Sequence, residues 1–173
     1  PTRAATLLAR VPPFVTSVGL FVNESPVAVR AILDRLSLDL LQFHGDEDAA
    51  YCAQFGKPWI KAARVKPGFD LLEYAAAFSG VPGVVGLLLD AYVDGYGGGG
   101  EAFDWSLIPR SLPLPVILSG GLNPGNVAQA VREVQPWAVD VSSGVEMAKG
   151  IKDAQKIAEF IAGVRDADAG SSL

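Results

Sequence analysis

Cysteine, histidine, basic charge and long apolar runs are all scarce in this chain of 173 residues, and each scarcity removes a class of function. A lone cysteine, Cys52, makes neither an internal disulfide nor a cysteine metal site. His44 is the sole histidine, which excludes a multi-histidine metal centre. Lys and Arg number 14 against 19 Asp and Glu, a formal net charge of −5. There is thus no general attraction to nucleic acid or to anionic lipid, and an anionic ligand needs a local device to hold it. The longest apolar runs, such as VVGLLLDA at 84–91, are strand-sized and fall far below the ~20 residues of a membrane-spanning helix. No signal peptide is visible. The expectation is a soluble, cytoplasmic protein with neither nucleic-acid nor membrane partners.

Half of the residues are hydrophobic, enough for one sizeable core, so residues 1–173 are expected to form a single domain. Six β-branched or leucine-rich runs read as strands: FVTSVGLFV at 14–22, LDLLQF at 38–43, WIKAARV at 59–65, VVGLLLDA at 84–91, LPVILSGG at 114–121 and WAVDVSSG at 137–144. Between them lie helix-period segments, the pattern of a parallel sheet with right-handed crossovers. Four helices show one apolar stripe: Val29, Ile32, Leu33, Leu36; Leu71, Tyr74, Ala75, Phe78; Val127, Ala130, Val131, Val134; and Ile157, Phe160, Ile161, Val164. Ser25–Pro26 and Asn123–Pro124 each place a capping side chain before a proline at the first helical position. Residues 2–11 read as a further helix, and 166–173 as a polar tail that frays. The chain opens on Pro1 and a helix with no strand before it, which reads as a missing upstream piece. Six β/α units fit either a doubly wound sheet or an incomplete eight-stranded barrel.

Chemically suggestive residues gather just after strand ends, where both folds place their sites. Gly120 and Gly121 precede one helix, and Ser142, Ser143 and Gly144 end the last strand. Small residues let backbone amides approach an anion, so the two segments together favour a phosphate cup and a phosphorylated small-molecule substrate; either alone reads equally well as a tight turn. Asp90 closes the most apolar strand, after Leu87, Leu88 and Leu89, where desolvation favours a general acid. The alternative is a carboxylate that caps or pairs structurally. DGYGGGGEAFDW follows, its Gly97, Gly98, Gly99 and Gly100 reading either as a mobile lid or as a plain linker. That segment has no nucleotide-binding fingerprint. His44 ends a strand, as a substrate-orienting group or as a structural histidine. Cys52 falls in a helix away from strand ends and reads as a packed small hydrophobe. Lys61 and Arg64 face opposite sides of one strand, and a structural charge pair is the reading preferred for them.

Taken together, LLQFHGDE at 40–47, LLLDAYVDGYGGGGEAFDWSLIP at 87–109, VILSGGLNPGNV at 116–127 and VDVSSGVEMAKGIKDAQKIAEFI at 139–161 resemble the phosphoribosylanthranilate isomerases of tryptophan biosynthesis over residues 14–165. The resemblance implies a (β/α)₈ TIM barrel of which strands three to eight are present here and the first two β/α units are missing. It implies an Amadori rearrangement without metal or organic cofactor, carried out by a monomer or a homodimer. Asp90 matches the general acid. Gly121, Ser142, Ser143 and Gly144 match positions around the phosphate, Asp140 one near the anthranilate end, and Gly97 to Gly100 the loop after strand six. Gly99 and Glu101 stand where threonine and lysine are more usual, a looser and more acidic loop. The family's general base is the cysteine of a K-x-C-G strand, which nothing here matches; little or no activity of the 173 residues by themselves is therefore expected. Two alternatives stay open: another phosphate-binding barrel, such as an indole-glycerol-phosphate synthase or a histidine-pathway isomerase, and a fragment that assembles with a partner through its open strand edges.

Overall fold

Strand β1 spans Val18–Phe21, shorter than the 14–22 run that predicts it. Phe14 sits at φ 69 and is fully exposed, and the left-handed backbone there keeps the run from starting early. Asn23, at φ 53, turns the chain out after Phe21. The structure is a computed structural model and describes residues 2–91 and 102–170. The expected loop glycines Gly97 to Gly100 lie outside the described residues.

The described residues alternate strand and helix, except that only a 3₁₀ turn, Trp105–Leu107, is described between the fourth and fifth strands. Helix α1 is Thr2–Leu8, followed by β1, α2 Pro26–Leu33, β2 Leu40–Phe43, α3 Ala49–Ala53 and β3 Trp59–Val65. Then come α4 Leu71–Phe78, β4 Val84–Ala91, β5 Val116–Leu118, α5 Val127–Val134 and β6 Ala138–Val139. A hairpin of β7 Glu146–Ala148 and β8 Ile151–Lys152 precedes α6 Ala154–Gly170. The chain is α/β with parallel strands, as the alternating pattern predicts; the antiparallel hairpin is an addition.

Two compact units result. One holds the residues up to Ala62 together with Ala76–Gly86; the other holds Ala63–Ala75 and the residues from Leu87 onward. In the first, β1 pairs with β2 (Phe21 beside Phe43) and β2 with β3 (Phe43 beside Lys61), all parallel. Its core is aromatic: Phe43 stacks on Phe55 and meets Trp59 edge-on, and Trp59 meets Phe78. Cys52 is fully buried in α3, the packed hydrophobe that its mid-helix position predicts. Ser25 caps α2 as its sequence context predicts, accepting from Ala28 N with Pro26 at the first turn.

In the second unit β4 pairs with β5 (Leu88 beside Ile117) and β5 with β6 (Leu118 beside Val139). Leu87, Leu88, Leu89 and Leu118 are buried, and Val127, Ala130 and Val131 of α5 supply a buried helix face. Both β5 and β6 are shorter than predicted. Pro113 and Pro115 carry no N–H ahead of β5, and Gly120 and Gly121 leave it at φ 79 and 66. Asn123–Pro124 opens a turn, not the helix itself: α5 begins at Val127 and Asn126 is its N-cap residue. The stripe on α6 is only partly buried, since Phe160 is covered while Ile157 and Ile161 are exposed. Residues 166–170, read as the start of a frayed tail, continue α6, and Ala167 is buried; residues 171–173 lie outside the described set.

Candidate active site

Asp90 stands at the end of β4, half-buried, with its Oδ1 accepting from Ala91 N at 2.9 Å. The neighbouring strand end is fitted to it. A Cβ added at Gly120 would lie 2.4 Å from Ala91 N and 2.9 Å from Asp90 Oδ1, and the φ of +79 is itself one that side chains rarely adopt. Glycine at 120 is therefore required both by backbone conformation and by the approach of the carboxylate.

The two segments expected to form the phosphate cup come together in the same unit. A Cβ on Gly144 would lie 1.9 Å from Leu122 O, so the SSG turn after β6 packs directly on the backbone of the GGLNPG turn after β5. The first turn is braced by side chains: Asn123 Nδ2 and Asn126 Nδ2 both donate to Gly121 O, at 3.2 and 3.0 Å, while Asn126 Oδ1 accepts from Asn123 N. The second is a 3₁₀ turn, Ser143–Val145, with Ser142 and Ser143 exposed. Adjacent final strand ends whose small residues expose amides are where barrels hold phosphate. Beside this turn an open cleft of about 710 Å³ is lined by Ser142, Ser143, Glu146 and Lys149 among others.

Asp140 follows β6 and is exposed; its Oδ2 accepts from Ser119 Oγ at 2.9 Å and its N–H donates to Leu118 O. Asp90, Asp140, Gly120, Gly121, Ser142, Ser143 and Gly144 thus belong to one unit, on or after the ends of β4, β5 and β6. His44 belongs to the first unit, after β2. The Gln42 amide nitrogen lies 3.0 Å from its Nδ1; with the amide donating, a neutral ring carries its proton on Nε2.

Two features escaped the sequence reading. Lys152, on β8, donates to Ser142 O at 2.8 Å and Ser142 Oγ at 3.3 Å and pairs with Glu146 at 2.9 Å. The Glu146 carboxyl is held below its usual range by that bond and by Gly150 N–H. Nothing in the sequence pattern announced the hairpin that returns Lys152 to the SSG turn. The second is Glu47, the partner of Lys61. Both are buried, with Nζ 3.4 Å from Oε2. Burial pushes the Lys61 ammonium down, opposed by Glu47. Lys61 is the structural charge pair expected of it, although its partner was not foreseen. Among the described residues no cluster of three or more His, Cys, Asp or Glu is arranged to hold a metal, and no helix is long and apolar enough to cross a membrane.

Comparison with known proteins converges on one family. The family model described as N-(5'phosphoribosyl)anthranilate (PRA) isomerase matches residues 1–163. The N-(5'-phosphoribosyl)anthranilate isomerase of Dechloromonas aromatica is 61% identical over 168 residues, 97% of this chain and 79% of that protein. That of Thiobacillus denitrificans is 65% identical over 159 residues, 91% of this chain and 76% of that protein. The crystal structure of the Thermotoga maritima enzyme is 39% identical with a TM-score of 0.83, covering 96% of this chain and 80% of that one. A further crystal structure, of a phosphoribosyl anthranilate isomerase in complex with reduced 1-(o-carboxyphenylamino)-1-deoxyribulose 5-phosphate, matches at 36% identity and TM-score 0.79, covering 96% and 79%. With a family model matched over residues 1–163 and a relative 61% identical over 97% of its length, this chain belongs to the N-(5'-phosphoribosyl)anthranilate isomerase family.

Proposed function

We propose that this chain carries the acid and the substrate cradle of a phosphoribosylanthranilate isomerase, the enzyme of tryptophan biosynthesis that converts N-(5'-phosphoribosyl)anthranilate to 1-(2-carboxyphenylamino)-1-deoxyribulose 5-phosphate. The observation that carries the reading is the pair of close approaches, Gly120 on Asp90 and Gly144 on Leu122, which group the acid with both phosphate turns in one unit. Gly120, Gly121, Ser142, Ser143 and Gly144 hold the phosphate, and Gly97 to Gly100 belong to the loop over the bound substrate. Asp140 serves the anthranilate end, and His44 orients the substrate. Asp90 gives its proton to the ribose ring oxygen as the C1–O bond breaks, while the anthranilate nitrogen's lone pair forms the C1=N⁺ bond of an iminium. Removal of the C2 proton yields an enolamine, which tautomerises to the ketose product.

The base for that second step is not Cys52. Its thiol is fully buried, and desolvation pushes it up to about 12, so it holds its proton at neutral pH. The six parallel strands are assigned to strands three to eight of the family barrel. Because residues 1–173 contain no K-x-C-G strand, the 173 residues assayed alone are expected to turn over substrate near background. The molecule works as a monomer or homodimer, a reading supported by the Thermotoga maritima relative, described as a dimeric enzyme of which monomers were generated (35% identity, TM-score 0.81). The test is competition. Saturable binding of the reduced product analogue, displaced weakly by ligands that carry phosphate without the anthranilate ring, is the expected result. Equal binding of both kinds of ligand points instead to another phosphate-binding barrel.

A further inference from the structure

A buried ion pair is an expensive way to fill a core, because two desolvated charges rarely outperform well-packed apolar side chains of the same volume. The Lys61–Glu47 pair is buried on both sides, with side chains 1% and 2% exposed, and the chemistry of the proposed reaction does not use it. Apart from a 3.4 Å bond from Lys61 Nζ to Ala62 O, its hydrogen bonds to the backbone gather around His44 and the turn that faces it. Lys61 Nζ donates to Phe43 O at 3.3 Å and to Gly45 O at 2.7 Å, the two carbonyls that flank His44. Glu47 Oε2 accepts from Gly45 N at 2.9 Å, and Oε1 accepts from Asn23 N at 2.7 Å, in the turn after β1. His44 N–H itself donates to Phe21 O, the last residue of β1. Gly45 packs so closely on Asn23 that an added Cβ would lie 2.2 Å from Asn23 Oδ1, and Asn23 Oδ1 accepts from Asp46 N at 2.7 Å.

We infer that Lys61 and Glu47 are positioning residues: together they clamp the backbone on both sides of His44 and so fix the imidazole against Gln42 for contact with the substrate. The functional half of this inference rests on the role proposed for His44; the clamp itself rests on the hydrogen bonds alone. An apolar pair at 47 and 61 fills the same space but leaves the Phe43 and Gly45 carbonyls and the Asn23 and Gly45 amides without these partners. Positional errors of about 1 Å at a binding group weaken function by as much as ~100-fold, which is why a core position is given to charge here.

The chain's sole histidine makes the test direct, since the imidazole nitrogens give one unambiguous set of NMR signals. The variants are Glu47→Gln and the double variant Glu47→Gln/Lys61→Met, which removes both buried charges and so folds even where a lone uncompensated charge does not. In the folded variants the His44 ring and Gln42 side-chain signals are expected to shift, while the amides of Gly120 and Gly144 stay in place. Affinity for the reduced product analogue is expected to drop about tenfold. Unchanged His44 signals in the folded double variant overturn the clamp. Shifted His44 signals with unchanged analogue affinity overturn its functional half. Failure of the unsubstituted chain to bind the analogue counts against the proposed function, and the His44 signals then still decide the clamp.

Discussion

A single methyl group added at Gly144 meets Leu122 O at 1.9 Å, and one added at Gly120 meets Ala91 N at 2.4 Å. These are backbone obstacles that no side-chain rotation relieves, so each glycine holds two strand ends at a distance no other residue allows. Gly144→Ala is expected to weaken analogue binding by tenfold or more, on the order of 1.4 kcal/mol or greater, with a far-ultraviolet circular dichroism spectrum close to that of the parent. Calorimetric titration checks the affinity. Cys52 gives a second prediction at this scale. Its thiol ionises near 9 when unfolded but is pushed up to about 12 by burial, so between pH 9 and 12 the unfolded chain binds fewer protons than the folded one. Stability is then lost as pH rises through that window, by up to ~1.4 kcal/mol per pH unit. Lys61, whose folded value is lowered, works in the opposite sense, since there the unfolded chain binds more protons. Urea denaturation at stepped pH is expected to show a shallower alkaline slope for Cys52→Ala than for the parent. Equal slopes mean that the thiol ionises as readily inside the fold as outside it.

Among the elements, strands β3 and β4 were legible to the residue, WIKAARV and VVGLLLDA being mainly apolar runs bounded by turn signals. The shorter strands were not. LPVILSGG and WAVDVSSG include residues whose apolar or small character serves the turns after the strand, and periodicity does not distinguish a strand's last residue from a phosphate turn's first. Helix α2 shows how far local chemistry reaches: Ser25 is the cap its sequence context predicts. Ser25→Ala is expected to destabilise the fold by about 1 kcal/mol, read as a lower urea midpoint with an unchanged slope. Asn123, in a similar Asn–Pro context, braces the GGLNPG turn instead of capping α5. The same polar side chain suits a helix N-terminus and a loop carbonyl equally, and only the position of Gly121 decides between them. The grouping of Gly120, Gly121, Ser142, Ser143 and Gly144 was legible because two small-residue segments at consecutive strand ends, each alone readable as a tight turn, together favour one shared site. The Lys152 and Glu47 contacts were not, because each joins residues across a turn whose geometry the sequence does not declare.

For the molecule as a whole, a net charge of −5 sits uneasily with an anionic substrate unless binding is local. In the proposed function that locality comes from backbone amides at the small-residue turns; Lys152 is bonded to the SSG turn and paired with Glu146 across the hairpin. The proposed function places the phosphate at these two turns and the acid at Asp90. The measurement that tests this most directly follows the consumption of N-(5'-phosphoribosyl)anthranilate by residues 1–173 mixed with a polypeptide spanning the first two β/α units of the Thermotoga maritima relative. The account predicts turnover from the mixture, background rates from residues 1–173 alone, and a loss of about 10²–10⁴-fold for the mixture carrying Asp90→Asn. Equal rates from the Asp90 and Asp90→Asn mixtures would contradict it.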